Sequence, residues 1–213
     1  MNKTAELVRI PAGKAVIEGA LNIPPLSYGV VLFAHGSGSS RHSPRNNFVA
    51  RILNDNGLAT LLMDLLTPDE DRNYETRFDI DLLTQRLITA TDWVKNNPQT
   101  QGLPVGYFGA STGAAAALKA AAKDSSIGAV VSRGGRPDLA GNDLSRVIAS
   151  VLLIVGGNDF GVIELNEDAF AQLRFTKELI IVPGATHLFE EPGTLEQVAK
   201  HAAEWFHTSF SLP

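Results

Sequence analysis

Residues 104–122 leave little freedom in how this chain can be arranged, because a short apolar run, a glycine-bracketed turn and an alanine-rich run follow one another there. Val105–Phe108 predicts a buried strand. The alanines after Gly113 predict a helix, since alanine is the best helix former and no breaker interrupts the run. The turn between them reads Gly-Ala-Ser-Thr-Gly, with Ser111 at its centre. A G-x-S-x-G turn between a strand and a helix is the context of the nucleophile-elbow motif, which holds a serine hydroxyl at the edge of a sheet.

The two glycines of this turn have a steric role in the motif. A side chain at Gly109 or Gly113 would collide with the neighbouring strand or helix, so we expect both positions to need a residue without a Cβ atom. The helix that follows brings unpaired backbone N–H groups and a partial positive charge toward Ser111, which suits a developing oxyanion. The alternative is a glycine-rich turn with an incidental serine.

The composition is that of one ordinary globular domain, and it argues against several classes of protein. The chain has 213 residues, 44% hydrophobic and 19% charged, and we expect a single domain over residues 1–213. Its net charge of −5 does not favour nucleic acid or acidic membranes as partners. The absence of cysteine excludes disulfides and thiolate chemistry. Residues 1–14 lack the apolar core of a signal peptide and no run is long enough to span a membrane, so we expect a cytoplasmic protein.

Apolar and amphipathic runs alternate along most of the chain. Thr4–Pro11 and Lys14–Ile23 predict an antiparallel hairpin at a sheet edge. The polar stretch Asp64–Phe78 predicts a solvated loop. Elsewhere the pattern predicts strands at 29–34, 58–63, 105–108, 127–132, 150–155 and 178–182, and helices beginning near 44, 80, 112, 164 and 194. Such alternation predicts an α/β fold with a mostly parallel sheet and helices on both faces.

Three residue types that suit nucleophilic catalysis fall at the carboxyl ends of predicted strands, where sites in such sheets lie. A serine hydroxyl needs a base, and that base needs an orienting acid. For this kind of elbow the chain order is Ser, then Asp or Glu, then His. Asp159 directly follows the strand at 150–155, and His187 follows the strand at 178–182. We therefore predict a catalytic triad of Ser111, Asp159 and His187.

Each of these assignments has a competitor. Asp159 belongs to a Gly-Asn-Asp turn and also suits a helix cap, and Asp138 is the rival acid. Among the other histidines, we expect His35 to form a hydrogen bond with the backbone of its own loop. The remaining three are weaker candidates for the catalytic base: His42, His201 and His207. No two histidines show zinc-ligand spacing with a carboxylate or cysteine, so we expect neither a metal nor a cofactor.

An oxyanion hole of this type takes one N–H group from the residue after the nucleophile and another from the loop after the third strand. Thr112 supplies the first position. Ser37, just after His35-Gly36, is the best candidate for the second. A merely flexible glycine-rich loop at 35–40 is the alternative.

Taken together, four segments resemble the α/β-hydrolase superfamily and its small dienelactone-hydrolase-like branch: HGSGSS at 35–40, GASTG at 109–113, GGND at 156–159 and GATHLFEEPG at 184–193. HGSGSSRHSPRN, SRGGRPDLAG and ATHLFEEPGTLE are similar to a bacterial subgroup whose members often lie beside or are fused to phosphoribosyltransferase domains, although this sequence has none. The resemblance implies a hydrolase fold and the triad Ser111–Asp159–His187. True dienelactone hydrolases use a cysteine nucleophile, so the resemblance does not imply dienelactone as the substrate.

The connection after the sixth strand bears on the kind of substrate. Only residues 133 to about 147 separate that strand from the next helix, so we expect no cap domain and an open site for a small ester. Phe160 and Phe189 are candidate pocket aromatics, or core residues. Four arginines near strand ends suit a substrate carboxylate or phosphate, or brace their own loops: Arg41, Arg45, Arg133 and Arg136.

The leading hypothesis is a carboxylic-ester hydrolase that acts on a small, anionic or neutral, molecule, with neither nucleic acid nor membrane as a partner. A non-catalytic module that kept the fold is the alternative from another class, and an intact triad argues against it. Thioesterase, amidase or perhydrolase chemistry on the same residues stays open. The oligomeric state is left unpredicted.

Overall fold

The computed structural model describes residues 5–211, and its centre is one eight-stranded sheet in the order β1-β2-β4-β3-β5-β6-β7-β8. The strands are β1 Glu6–Ala12, β2 Ala15–Asn22, β3 Val30–Ala34, β4 Ala59–Met63, β5 Val105–Ala110, β6 Ile127–Arg133, β7 Ser150–Gly156 and β8 Lys177–Val182. β2 runs antiparallel to both β1 and β4, and every other neighbouring pair is parallel. The predicted mostly parallel sheet with an N-terminal hairpin is confirmed, while the predicted hairpin start at Thr4 lies outside the described residues.

The described residues form six helices, of which all but the short α2 pack on the sheet: α1 Pro44–Asp55, α2 Pro68–Asp71, α3 Ile80–Asn96, α4 Thr112–Lys123, α5 Phe160–Gln172 and α6 Thr194–Ser211. Two apolar cores result. One contains buried residues of α3, α4 and α5, and the other contains buried residues of α1 and α6. Helices therefore lie on both faces, as predicted. Within residues 5–211, no helix has the length and apolarity needed to cross a membrane.

The unbroken apolar sequence of β3 follows from its place between these cores. Val30 and Leu32 face the core that contains α3 and α4, whereas Val31 and Phe33 face the core that contains α1 and α6. Successive side chains of a strand point to opposite faces, so a strand covered on both sides has no solvent-facing position. Each large apolar side chain buried in this way contributes about 1.5–3 kcal/mol to folding.

The expectation of a solvated loop over residues 64–78 is wrong in part. The segment contains α2 and a 3₁₀ turn at Glu75–Phe78. Thr67 begins α2 with a capping box, in which its hydroxyl accepts from the Glu70 backbone N–H and the Glu70 carboxylate accepts from the Thr67 backbone N–H. The sequence Thr-Pro-Asp-Glu carries the signature of this box, with proline at the first helical position. The segment is thus anchored by Leu65 and Leu66, which are buried in the core with α3 and α4, and α2 itself is ordered by local hydrogen bonds.

One helix boundary near the candidate site and the connection after β6 differ from the prediction. Helix α5 begins at Phe160, directly after Asp159, and not at Glu164. Residues 134–149, between β6 and β7, hold only 3₁₀ turns that meet at a non-helical Gly141. This connection is too short to build a cap, so the carboxyl edge of the sheet is left without a large lid.

Candidate active site

Ser111 occupies a strained turn between β5 and α4. Its backbone dihedrals are φ +51° and ψ −123°, a combination that costs a non-glycine residue on the order of 1–3 kcal/mol. A Cβ on Gly109 would lie 2.5 Å from Ala114 Cα, and one on Gly113 would lie 2.1 Å from the carbonyl oxygen of Ala34. Both glycines are therefore required sterically, as expected from the sequence. The turn is the backbone conformation of a nucleophile elbow.

Asp159 and His187 are in direct contact. Asp159 Oδ2 lies 2.6 Å from His187 Nδ1. Asp159 stands at the N-cap position of α5, yet its carboxylate makes no capping hydrogen bond. With Nδ1–H donating to the carboxylate, a neutral His187 ring presents Nε2 as an acceptor. The rival acid Asp138 is instead held by the Arg136 guanidinium, at 2.9 and 2.7 Å.

The end of β6 joins the elbow to this pair. The Ser111 backbone N–H donates to the carbonyl of Arg133 at 3.4 Å. A Cβ on the next residue, Gly134, would lie 3.5 Å from His187 Nδ1, so the imidazole rests against that glycine. Within residues 5–211, Ser111 Oγ has no hydrogen-bond partner, and its bond to His187 Nε2 stays a prediction.

The two predicted oxyanion donors lie on one small pocket beside Ser111. Ser37 and Thr112 both line this pocket. A Cβ on Gly36 would lie 3.0 Å from Ser111 Cβ, so the 35–38 loop passes directly over the serine. Thr112 begins α4, where backbone N–H groups have no intrahelical acceptor. Among the described residues, no backbone carbonyl accepts the Ser37 N–H either.

His35 anchors this loop, as expected from the sequence. The ring is buried, its Nδ1 lies 2.9 Å from the Gly36 carbonyl, and its Nε2 accepts the Leu65 backbone N–H at 3.0 Å. This pattern requires a neutral ring that carries its proton on Nδ1. Burial lowers the pKa of His35, and the Gly36 hydrogen bond and the charges of Asp64 and Asp71 oppose that shift only in part.

The four arginines differ in their partners. Three lie in ion pairs: Arg41 with Asp64 and Glu18, Arg45 with Glu190, and Arg136 with Asp138. Arg133 has no carboxylate or hydrogen-bond acceptor for its guanidinium within residues 5–211, and it lies over the ring of Phe189 at 5.9 Å. Of the two candidate aromatics, Phe160 is 71% exposed and Phe189 belongs to the core.

Arg77 and Asp71 also line the pocket that Ser37 and Thr112 share, and the sequence did not suggest them. Arg77 Nε donates to the Asp71 carboxylate at 2.9 Å, and its Nη1 lies 3.5 Å from the position of a Cβ on Gly38. The capping box at Thr67 was the one available signal that this segment is ordered and can form a wall of the site.

A strained serine between a strand and a helix, with an Asp–His pair at the same edge of a mostly parallel sheet, defines the α/β-hydrolase class. The model of the dienelactone hydrolase family matches residues 22–211, and the chain belongs to that family. The structure of a dienelactone hydrolase from Anabaena variabilis is 55% identical, covers 98% of this chain and 99% of that chain, and superposes with a TM-score of 0.96. Est1E from Butyrivibrio proteoclasticus shares the fold at 17% identity, with 97% and 99% of the two chains covered and a TM-score of 0.82.

Curated relatives from two strains of Mycobacterium tuberculosis are 59% identical over 202 residues and carry the name "Putative phosphoribosyl transferase". The match covers 94% of this chain and 46% of each relative. The chain thus spans about half the length of these relatives. The phosphoribosyltransferase name of these relatives agrees with the bacterial subgroup that the sequence motifs resemble, whose members are often associated with phosphoribosyltransferase domains.

Proposed function

We propose that this protein is a serine hydrolase that cleaves small carboxylic esters with Ser111 as nucleophile, His187 as base and Asp159 as the orienting acid. The observation that carries the proposal is the 2.6 Å contact between Asp159 Oδ2 and His187 Nδ1, at the sheet edge where Ser111 occupies its strained turn. An aspartate at a helix N-cap ordinarily bonds the helix backbone. Here the carboxylate is directed to an imidazole instead, which is the function of the acid in a triad.

The reaction follows from the roles of these groups. Ser111 Oγ attacks the ester carbonyl while His187 Nε2 takes its proton, and Asp159 stabilises the resulting imidazolium. The backbone N–H groups of Thr112 and Ser37 then stabilise the tetrahedral oxyanion, each donor contributing about 3 kcal/mol. Proton return from His187 releases the alcohol and leaves an acyl group on Ser111. Water, activated by His187, hydrolyses that acyl-enzyme and restores the serine.

The form of the site favours small substrates. The β6–β7 connection supplies no cap, and 39% of the His187 side chain is exposed. An open site suits a short or projecting ester better than a long acyl chain that needs an enclosed apolar tunnel. Exposed apolar side chains around this edge, among them Phe160 and Leu188, offer a surface for the leaving group.

Hydrolysis of 4-nitrophenyl acetate and butyrate tests the proposal, with Ser111→Ala as the inactive counterpart. We expect release of 4-nitrophenol by the wild-type protein and loss of that activity in Ser111→Ala. Mass spectrometry after reaction with a phosphonofluoridate should place one adduct on Ser111. Activity that survives Ser111→Ala, or an adduct on another residue, would reject the assignment. Matched thioesters and anilides in the same assay separate esterase from thioesterase and amidase activity.

A further inference from the structure

Arg133 is the last residue of β6, and the residue is only 7% exposed. Its Nε is fully buried without a hydrogen-bond partner, and no carboxylate within residues 5–211 forms an ion pair with the guanidinium. Buried charges in proteins are normally paired, because removal of an ion from water is costly. The stacking of Arg133 over Phe189, at 5.9 Å, contributes far less than full pairing would.

The surroundings of Arg133 add positive charge. Arg45 stands in the first turn of α1, which contains no acidic residue and where the helix dipole is already positive. Burial and the charge of Arg45 together lower the pKa of Arg133 to about 10, so the guanidinium is still charged at neutral pH. Arg45 has Glu190 as its partner, at 3.1 Å, and 64% of that glutamate side chain is exposed to solvent. The charge of a second guanidinium thus acts on Arg133, while Glu190 forms its ion pair with Arg45.

Arg133 is also tied to the proposed catalytic groups. Its carbonyl accepts the Ser111 backbone N–H, its neighbour Gly134 lies against His187, and its guanidinium lies over Phe189, two residues beyond His187. A negatively charged group held by Arg133 would therefore lie at the same edge of the sheet as an ester placed at Ser111. Binding energy from such a remote group can be used to position the ester for attack.

We propose that Arg133, assisted by Arg45, forms an anion subsite that binds a carboxylate or phosphate group on the substrate of the proposed serine hydrolase. The inference rests on that proposed function for its catalytic consequence. The guanidinium fork gives an oxyanion two parallel hydrogen bonds, a geometry that a lysine does not reproduce. The other three arginines are held by carboxylates of the chain itself, which distinguishes Arg133 from the rest of the set.

The kinetic test compares 4-nitrophenyl hexanoate with the carboxylate-bearing 4-nitrophenyl hydrogen adipate. We expect Arg133→Met to lower kcat/KM for the adipate ester relative to the hexanoate by about 10- to 100-fold, the range of one charge-assisted hydrogen bond. Arg133→Lys, which keeps the charge and serves if the methionine variant does not fold, should lose part of that preference. Arg146→Met removes the same charge from a side chain paired with Asp143 and should keep the wild-type preference. Equal losses on both esters in the Arg133 variants would mean that Arg133 only braces its loop, and would overturn the proposal.

A binding test separates this proposal from the proposed function. Adipate and inorganic phosphate are titrated calorimetrically into Ser111→Ala and into Ser111→Ala/Arg133→Met. Adipate binding that requires Arg133 supports the subsite even if the wild-type protein hydrolyses neither ester, a result that would reject only the hydrolase assignment. Phosphate binding that requires Arg133, without adipate binding or adipate-ester preference, would support the subsite and assign it to a phosphate group. Equal binding by both variants would overturn the subsite.

Discussion

A Cβ atom on Gly134 would lie 3.1 Å from the carbonyl oxygen of His187. Gly134 has a φ of +50°, so two constraints coincide at this residue: a backbone conformation that favours glycine and close contact with the proposed base. The end of β6 therefore limits where the imidazole can lie.

The first prediction tests this contact. Gly134→Ala should lower kcat/KM by up to about 100-fold, because a small displacement of a catalytic group is enough to spoil the geometry of attack. Gly141→Ala is the matched control, since Gly141 also has a positive φ, +55°, but nothing lies within 4 Å of its would-be Cβ. Ester hydrolysis and thermal unfolding are measured for both variants. If both lose activity equally, backbone strain alone explains the effect.

A second prediction concerns the acid. Asp159→Asn should reduce kcat by about 10³- to 10⁴-fold while the fold is retained, because an amide favours the wrong imidazole tautomer. Asp138→Asn removes the rival carboxylate, which the structure pairs with Arg136, and should keep most of the activity. Steady-state kinetics on a short ester decide between them. The reverse order of effects would move the acid role to Asp138.

The third prediction concerns the elbow. Gly113→Ala should destabilise the protein by more than about 3 kcal/mol or prevent folding, because the new methyl group would lie 2.1 Å from the Ala34 carbonyl oxygen, a backbone atom that cannot turn away. Gly161 lies in the first turn of α5, and a Cβ atom added there would have no neighbour within 4 Å. Gly161→Ala should therefore raise the free energy of unfolding by about 0.4–1 kcal/mol. Urea unfolding measures both changes. A tolerated alanine at 113 would contradict the packing described for β3 against α4.

His35 gives a fourth prediction, on pH. Its pKa is lowered in the folded protein by burial. Below the ordinary value of about 6.5, the unfolded chain therefore binds a proton that the folded chain does not, and the free energy of unfolding falls as the pH decreases, by at most about 1.4 kcal/mol per unit. In His35→Gln this component of the slope should disappear. The exposed His42 provides the control variant, His42→Gln. Urea titrations between pH 5 and 8 measure the slopes, and an unchanged slope in His35→Gln would refute the explanation.

The parts of the fold that were predictable are those with a local signal. The elbow could be placed because strand, turn and helix are contiguous around Ser111, and the alternation of elements predicted the sheet. Asp159 and His187 were selected by chain order and strand ends, and their contact has the expected geometry, while their roles stay predictions. The partners of the arginines could not be predicted, because the contact between Arg45 and Glu190 joins residues 145 positions apart. The lack of a partner for Arg133 is likewise a property of tertiary packing alone.

The position of β3 has a consequence for how the protein is made. Val30 pairs on one side with Ala59 and on the other with Val105, a residue far along the chain. While the polypeptide is being synthesised, β3 and β4 can meet early, but the second edge of β3 has to wait until β5 has emerged from the ribosome. Until then the four-stranded sheet β1-β2-β4-β3 ends in the apolar edge of β3, and such edges pair readily with other chains. We therefore expect slow, chaperone-responsive folding, with the commitment to the native state made when residues 105–110 arrive.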